Sequence, residues 1–559
     1  MVKFVEKEVN SNDFSVPSDD FCNERIIKNR RNSRHGIPTN LQNIAKKNSS
    51  LAQWLKEIRK TTDVECLNAL HAKEIAETTD QKQALAVRSA QVSIRKIRDS
   101  SIEIIDDIEV LIDWIPLELS RLQKFEKDFS LVFENIHSAI RTFRESACDQ
   151  AEILINELFT VSASIKLLLK EYGLKKIVSN PSLKSQLEKI KELFGKLVDI
   201  IIKRKCQMIF SGLYAPIEGI CLKWTLLALK SITNGDAYIC RIFSENDSLI
   251  RKLIELLSSH LKVSERHSPT MLRTTALRIL YYLCVNPEAI QLIYRNIDME
   301  KHITLVLQNE RNESVLREIA GLLVPLTTPF IDYKRTYQTD KALSNFISNR
   351  DDLVVSLVRV LSTTSSVEVF LLSTWSLANI SFYDPKLMIK DDVLAILVAK
   401  TRRGGIFGDD IAVKDQVLTI IANISSISPL EIVRSSGLVY LISAIQIRPV
   451  VAIRDEGELE IIQRMQKKVS TALTRLAVNQ RIASLIYRHR GCHRLVQICK
   501  DPKERNYSEA VLVAALIAFR RIYSVLKTIP LEEMDAEDLI QLPFEEALQK
   551  YSYSNESHA

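Results

Sequence analysis

Glycine and proline are scarce in this chain. Only 13 glycines and 15 prolines occur among 559 residues, whereas average proteins contain about 7% and 5% of these two residues. Short strands joined by tight turns need more of both, so the sequence disfavours an all-β sandwich or barrel and predicts a mostly helical protein. At roughly 150 residues per domain, the length indicates three or four domains or one long repeat array.

Long hydrophobic runs and paired cysteines are also missing. No run approaches the roughly 18 apolar residues that indicate a membrane span, and the first residues lack the apolar core of a signal peptide. The nine cysteines are odd in number, and no two have the spacing of a Cys-x-x-Cys motif. Most lie among apolar residues, so we expect free, buried thiols in a reducing compartment.

The charge distribution argues against nucleic-acid binding. The formal net charge is +7, from 76 Lys and Arg against 69 Asp and Glu, and the two signs are interleaved along the chain. Nucleic-acid-binding domains concentrate basic residues in a patch or stripe. One short basic run at Lys28–Gly36 fits a solvated flexible arm, with a nuclear signal or an acidic-surface contact as the alternative.

Catalytic and metal-binding motifs are absent from the sequence. It contains no phosphate-binding P-loop, dinucleotide-binding, nucleophile-elbow or His-Glu-x-x-His motif. The glycine-rich stretch Arg402–Asp410 lacks the Lys-Ser/Thr of a P-loop and follows a helical pattern, which favours a loop between repeats. Cys492 and His493 are adjacent, but no second ligand pair has metal spacing. We therefore expect a protein that is not an enzyme and has no catalytic residues, metal or cofactor.

A short amphipathic segment follows a polar N-terminal region. Ser50 and Gln53 have the spacing of a capping box, and Leu51, Trp54 and Ile58 belong to one helical apolar stripe. So short a helix is marginal alone in water, and it must pack on its own chain or dock into a partner's groove.

Seven similar helical segments follow from Trp224 onward. Each combines small residues with Leu or Ile on nearly all sides, and their spacings are 51, 43, 54, 44, 52 and 46 residues. Armadillo and HEAT repeats run about 40–47 residues, so longer units fit loop insertions. Shorter helices begin after breaks, as at Gly437–Ile445 and Gly491–Cys499. The residues that share one register are Ser231, Tyr282, Pro325, Asn379, Asn423, Arg475 and Arg521.

These patterns predict an all-α fold: an armadillo-repeat superhelical solenoid preceded by a helical region and a disordered N-terminal arm. The predicted domains are a disordered arm at 1–48, a partner-binding helical segment at 49–80, a helical bundle or irregular repeats at 82–210, armadillo repeats at 211–530 and a C-terminal tail at 531–559.

Two asparagines are candidates for a binding role on the solenoid. Asn379 and Asn423 occupy equivalent places on two core helices. They are either buried amides that satisfy neighbouring backbone groups, or part of a ladder that binds an extended peptide, as in importin-type armadillo proteins.

Three stretches carry a specific resemblance. Glu368–Asp384, Lys414–Ser425 and Glu504–Ile522 resemble the armadillo region of Inscuteable proteins, and Ser50–Ile75 resembles the segment by which that family binds its main partner. The resemblance implies a non-enzymatic adaptor in asymmetric cell division, cytoplasmic and enriched at the apical cortex. It would link Bazooka, a PDZ-domain polarity protein, and atypical protein kinase C to the tetratricopeptide-repeat protein LGN, or Partner of Inscuteable, and so orient the mitotic spindle.

The resemblance also implies which residues bind. In the family, the N-terminal segment runs along the inside of the tetratricopeptide superhelix. The matching positions here are Trp54, Leu55, Glu57, Ile58, Glu65, Cys66, Leu70, Ala72, Lys73 and Ile75. The C-terminal Ser557 and Ala559 would form a PDZ ligand. No nucleic acid and no membrane insertion are expected.

Two other classes of function stay open at this point. The first is an armadillo-type transport or cargo adaptor that binds extended peptides on its concave face, which would need a more regular ladder of Asn and Trp. The second is an enzyme with a helical fold, which the absence of a catalytic constellation disfavours.

Overall fold

The computed structural model describes residues 78–99, 101–103, 105–106, 134, 181–215, 220–257, 269–297, 299–331, 341–390, 392–449 and 456–552. All regular secondary structure in these ranges is helical, so the prediction of an all-α fold is confirmed. The chain divides into two units, Met1–Thr79 and Asp80–Ala559, and the packing described below concerns the second. The predicted arm at 1–48 lies outside the described residues, as does nearly all of the predicted segment at 49–80.

The helices of the described ranges are numbered here in chain order. They are α1 (78–99), α2 (Pro181–Ser211), α3 (Ile220–Thr233), α4 (Ala237–Ser244), α5 (Asp247–Glu255), α6 (Pro269–Leu283), α7 (Pro287–Asn296), α8 (Leu305–Asn309), α9 (Glu313–Thr327), α10 (Lys341–Ser348), α11 (Arg350–Thr363), α12 (Val367–Tyr383), α13 (Val393–Thr401), α14 (Ile411–Ile424), α15 (Pro429–Arg434), α16 (Gly437–Ile445), α17 (Glu456–Leu476), α18 (Gln480–Arg488), α19 (Gly491–Lys500), α20 (Glu509–Val525), α21 (Glu537–Gln541) and α22 (Phe544–Tyr551).

Seven of these helices form the central column of the protein. Helices α3, α6, α9, α12, α14, α17 and α20 each pack against the next one in this series. They are the seven segments that the sequence pattern predicts, and every register residue lies on its own core helix. Repetition of one packing contact from unit to unit is the property that defines a solenoid.

A second layer of shorter helices covers the column. Helix α12, for example, packs on α11 as well as on α9 and α14. Its buried side chains include Phe370, Leu377 and Ile380, and a helix that is apolar on nearly all sides requires neighbours on all sides. Ser366 caps its N-terminus by accepting a hydrogen bond from Val369 N, which fixes where this core helix begins.

Two short helices start at glycines because no side chain fits there. The predicted starts at Gly437 and Gly491 are confirmed as the first residues of α16 and α19. A Cβ at Gly491 would lie 2.8 Å from Ile486 Cγ2 and 3.0 Å from Ile486 O. Each glycine therefore lets a short helix turn tightly against the one before it.

We expect Gly491→Ala to lower the free energy of unfolding by about 1–3 kcal/mol, because the added methyl group overpacks against Ile486. Gly195→Ala is the matched control, since nothing lies within 4 Å of a Cβ at that position in the middle of α2. For Gly195→Ala we expect the free energy of unfolding to rise by about 0.5–1 kcal/mol, because alanine is the better helix former. Urea unfolding followed by circular dichroism measures both. Equal effects of the two substitutions would contradict the packing argument.

The helix α1 (78–99) packs against the first repeat of the column, which contains α3 and α4. Asp80 accepts hydrogen bonds from Ile220 N (2.6 Å) and Cys221 N (3.2 Å), so it caps α3 from a distant part of the sequence. Arg98 forms an ion pair of 2.8 Å with Asp236, which is itself the N-cap of α4. Arg98 thus joins the predicted helical region at 82–210 directly to the repeats, whereas Asp80 is the last residue of the predicted segment at 49–80.

The last described residues fold back onto the final core helix. Arg520 of α20 donates from Nε to Leu539 O (2.8 Å) and from Nη2 to Leu542 O (2.7 Å). Buried Ala536, Leu539 and Ala547 belong to the same apolar core as the repeats. Most of the predicted C-terminal tail at 531–559 is thus a two-helix cap up to Ser552.

The prediction of free, buried thiols is confirmed for the six described cysteines. Burial raises the pKa of the Cys240, Cys492 and Cys499 thiols to about 12, so they stay protonated at neutral pH. All six are free and buried. They are Cys206, Cys221, Cys240, Cys284, Cys492 and Cys499.

Candidate binding surfaces of the solenoid

Only two of the predicted site residues lie in the described part of the chain. These are Asn379 on α12 and Asn423 on α14. The remaining ones lie outside the described residues. They are Trp54, Leu55, Glu57, Ile58, Glu65, Cys66, Leu70, Ala72, Lys73, Ile75, Ser557 and Ala559.

Asn379 bonds to the core helix that precedes its own. It is 5% exposed, and its Nδ2 donates to Thr327 Oγ1 (3.1 Å) and to Val324 O (3.4 Å). Both acceptors belong to the last turn of α9, and Val324 O also accepts a hydrogen bond from Thr328 N. The amide nitrogen of Asn379 is therefore committed to a contact between repeats.

Equivalent residues on the next two core helices make the same kind of contact. Asn423 Nδ2 donates to Ser381 Oγ at 2.9 Å, and Arg475 Nη1 donates to Ala422 O at 2.5 Å. In each case the donor lies on the later helix and the acceptor on the earlier one. The register position thus forms a polar seam between consecutive repeats. The proposed role of both asparagines in peptide binding stays a prediction.

Ion pairs also join consecutive core helices of the column, at positions other than the register residue. Arg278 of α6 donates to both carboxylate oxygens of Glu318 on α9, and this hydrogen bonding raises the pKa of the guanidinium. Asp415 of α14 is 2% exposed and pairs with Lys468 Nζ (2.8 Å) and Arg464 Nε (3.4 Å) of α17. Burial lowers the pKa of Lys468 although Asp415 acts in the opposite direction.

A cavity of about 500 Å³ lies between the loop after α13 and the helix α16. Its walls combine an apolar floor with a charged rim. The residues that line it are Val398, Thr401, Arg402, Arg403, Gly408, Asp409, Lys414, Ser436, Val439, Tyr440, Ser443, Ala444 and Ile447. The volume is within the range of about 300–1,000 Å³ typical of ligand pockets.

The loop that forms one wall of this cavity is tightly built. Gly404 has a φ of +81°, which favours glycine, and a Cβ at Gly405 would lie 2.5 Å from Lys400 O. Phe407 is buried, and its N donates to Lys400 O (2.9 Å). Its ring packs against that of Phe370 in a tilted arrangement, with 4.3 Å between centroids. The loop Arg402–Asp410 is therefore held to the body of its repeat.

A second cavity, of about 410 Å³, lies between α8, α9 and α11. Its charges are balanced, with Arg311 and Arg359 facing Glu310 and Glu313. Glu310 is already paired with Arg273 at 3.3 Å. This cavity has no excess of either sign.

Neither a metal site nor a membrane span occurs among the described residues. Across the described ranges, no group of three or more His, Cys, Asp or Glu is placed to hold a metal ion. In the same ranges, no helix is long and apolar enough to cross a membrane. Sequence reasoning missed the cavity at Arg402–Asp410, although the glycines and paired arginines of that stretch were visible.

Comparisons with known proteins give matches to one family. The family described as Protein inscuteable C-terminal matches residues 134–558. The human Protein inscuteable homolog is 24% identical over 521 residues, covering 88% of this chain and 84% of the human protein. The mouse Protein inscuteable homolog is 24% identical over 526 residues with the same coverage.

Three solved structures with some likeness to this chain are engineered or designed proteins. Two crystal structures of engineered proteins align with TM-scores of 0.37 at 20% and 19% identity, covering 49% of this chain and 97% and 98% of theirs. A designed armadillo repeat protein aligns with a TM-score of 0.29 at 17% identity, covering 56% of this chain and 98% of its own.

Proposed function

The chain belongs to the Inscuteable family, whose members are adaptors in asymmetric cell division, and we propose that it links cortical polarity proteins to LGN, or Partner of Inscuteable, and thereby orients the mitotic spindle. The observation that carries this proposal is the family match over residues 134–558, together with the resemblance of Ser50–Ile75 to the family's partner-binding segment. The protein acts by binding, without catalysis.

The proposed mechanism uses two separate binding parts on one chain. The segment at 49–80 supplies a helix whose apolar stripe, with Trp54 and Leu55, is buried by the tetratricopeptide groove of LGN. Aromatic side chains dominate the binding energy at such interfaces. Acidic residues such as Glu57 and Glu65 face basic side chains of the groove, which adds orientation and on-rate more than affinity.

The solenoid supplies the second part. We propose that its surface, including the neighbourhood of Asn379 and Asn423, holds Bazooka and atypical protein kinase C, with Ser557 and Ala559 as a ligand for a PDZ domain. The packing of consecutive core helices supports this role, because a stacked repeat array presents an extended and rigid surface. Binding of both partners at once brings spindle and polarity proteins together at the apical cell cortex.

We expect Trp54→Ala in the full chain to weaken binding to the tetratricopeptide domain of LGN by about 2 kcal/mol or more, roughly 30-fold, because Trp54 is the main apolar anchor. Isothermal titration calorimetry measures the dissociation constant. Lys56→Ala is the matched control, since Lys56 lies outside the apolar stripe, and it should change the affinity by less than threefold.

Absence of measurable binding by the unmodified chain would overturn the proposed adaptor function. An equal loss for Trp54→Ala and Lys56→Ala would show instead that the segment binds by another face. A peptide of Ser49–Asp80 that binds as tightly as the full chain would place the whole interaction in this segment.

The alternative, an armadillo-type cargo adaptor with an amide ladder, has weaker support. Such a ladder needs amides that are available to an extended peptide. The amide nitrogens of Asn379 and Asn423 both donate to the preceding core helix, and the equivalent position of the next repeat is Arg475.

A further inference from the structure

The cavity beside Arg402–Asp410 combines features that the proposed LGN interaction does not use. Its floor is apolar, with Val398, Val439, Ala444 and Ile447 among the lining residues. Val439 is 57% exposed although it is a large aliphatic side chain in a helix. Covering apolar surface of this kind with an apolar group from a partner is favourable, because it removes that surface from water.

The rim of the cavity is positively charged. Arg402 and Arg403 are exposed, and no ion pair or side-chain hydrogen bond of either guanidinium occurs in the described part of the chain. Lys414 adds a third cation, against the single carboxylate of Asp409. The neighbouring Asp410 is already occupied, because it caps α14 by accepting a hydrogen bond from Val413 N at 2.8 Å.

The rigid wall distinguishes this cavity from a simple gap between helices. The wall is pre-organised, since Gly404, Gly405 and Phe407 hold the loop in place, and a rigid site loses little conformational entropy on binding. Tyr440 also lines the cavity, and its buried hydroxyl lies beside Thr401. The other cavity, between α8, α9 and α11, has no comparable excess of positive charge.

From this combination we propose that the cavity binds an acidic peptide segment of a partner protein, which inserts one apolar side chain between the loop Arg402–Asp410 and α16. Carboxylates on either side of the inserted residue pair with Arg402 and Arg403, because guanidinium groups bind carboxylates in a bidentate geometry. The inference deepens the proposed adaptor function, since it assigns a place and a chemical class to a partner of the solenoid.

The test uses the full chain and a fluorescein-labelled heptapeptide with the sequence Asp-Glu-Glu-Leu-Glu-Glu-Asp. Fluorescence anisotropy measures its affinity, which we expect to be micromolar and to fall as salt is raised. Exchange of the central leucine for serine should weaken binding at least tenfold, because the apolar floor is then left uncovered. The double substitution Arg402→Glu and Arg403→Glu should weaken it by tenfold or more.

Arg481→Glu with Arg488→Glu is the control of equal charge, since both arginines are exposed on α18 and away from the cavity. It should change the affinity by less than threefold. Ser443→Trp should also abolish binding, because the exposed Ser443 lines the cavity and a tryptophan there fills it. Circular dichroism and the thermal midpoint establish that each variant is folded.

Several outcomes would overturn the inference. These are the absence of binding at 1 mM peptide, equal affinity of the leucine and serine peptides, and an equal loss in the two charge-reversal variants. Tight binding of phosphatidylserine vesicles in competition with the peptide would make the patch a membrane contact and would also overturn it.

Binding to LGN separates this inference from the proposed function. The variant Arg402→Glu with Arg403→Glu should keep full affinity for the tetratricopeptide domain. Failure of peptide binding with LGN binding intact would remove the cavity site alone. Failure of LGN binding with peptide binding intact would remove the adaptor assignment alone.

Discussion

Replacing Asp415 by Asn is expected to lower the free energy of unfolding by about 2–3 kcal/mol. The substitution keeps the volume of the side chain but removes the charge that faces Lys468 and Arg464. Removing one partner of a buried ion pair costs about 3–5 kcal/mol. We expect a smaller loss here because the Lys468 side chain is 26% exposed and water compensates part of its charge. The midpoint of urea unfolding, followed by circular dichroism, measures the change.

Asp351→Asn provides the control for this prediction. Asp351 pairs with Lys390 at 3.3 Å, and both side chains are more than half exposed, so the loss should be no more than about 1 kcal/mol. The double substitution Asp415→Leu and Lys468→Met should recover most of the lost stability, since apolar side chains of similar size can replace a buried pair. A loss at Asp351 as large as that at Asp415 would contradict the importance of burial.

Arg505→Ala is expected to destabilise the C-terminal end of the array by about 3–5 kcal/mol. Arg505 is fully buried. Its Nη1 donates to Ile498 O and Cys499 O, each at 3.2 Å, and its Nη2 donates to Tyr551 O. Alanine would leave these carbonyls without their donor and would open a cavity between α19 and α22. The thermal midpoint should fall, and limited proteolysis should first cut between residues 526 and 552.

Arg488→Ala is the matched control for the cap, because Arg488 is exposed in the last turn of α18. It should leave both the thermal midpoint and the cleavage pattern unchanged. If Arg505→Ala unfolds with the same midpoint and the same first cleavage sites as the unmodified chain, then α22 does not depend on this arginine.

The positions of the core helices could be predicted from the sequence because local information determines them. Apolar residues on all sides of a segment, as in Leu371–Ser381, require burial wherever the segment lies. The starts at Gly437 and Gly491 were equally visible, since glycine marks a break in a helical pattern. Both kinds of signal need only neighbouring residues.

The contacts between repeats could not be predicted in the same way. Asp415 and Lys468 are 53 residues apart, and Arg505 and Tyr551 are 46 apart. Such pairs depend on the translation and rotation of each helix relative to the next. Because the loops between repeats differ in length, the sequence does not give these relative positions. The cavity was missed for the same reason, because the loop Arg402–Asp410 and Val439 meet only after α14 has reversed the chain.

Asn379 and Asn423 show which part of a site the sequence can predict and which part it cannot. Their equivalence on α12 and α14 was visible in the alignment of repeats, but the direction of their side chains was not. Only the packing of α9 against α12 and of α12 against α14 places hydrogen-bond acceptors within reach. The role of Trp54 and the other residues of the N-terminal segment stays a prediction that binding experiments must test.

The two-helix cap has a consequence for self-association. Every repeat in a stack exposes an apolar flank until the next repeat covers it, and an uncovered flank at the end is a ready docking site for a second molecule. Helices α21 and α22 occupy that flank on α20, with Ala536, Leu539 and Ala547 buried there. At this end of the described array, α21 and α22 therefore take the place that a further repeat would occupy against α20.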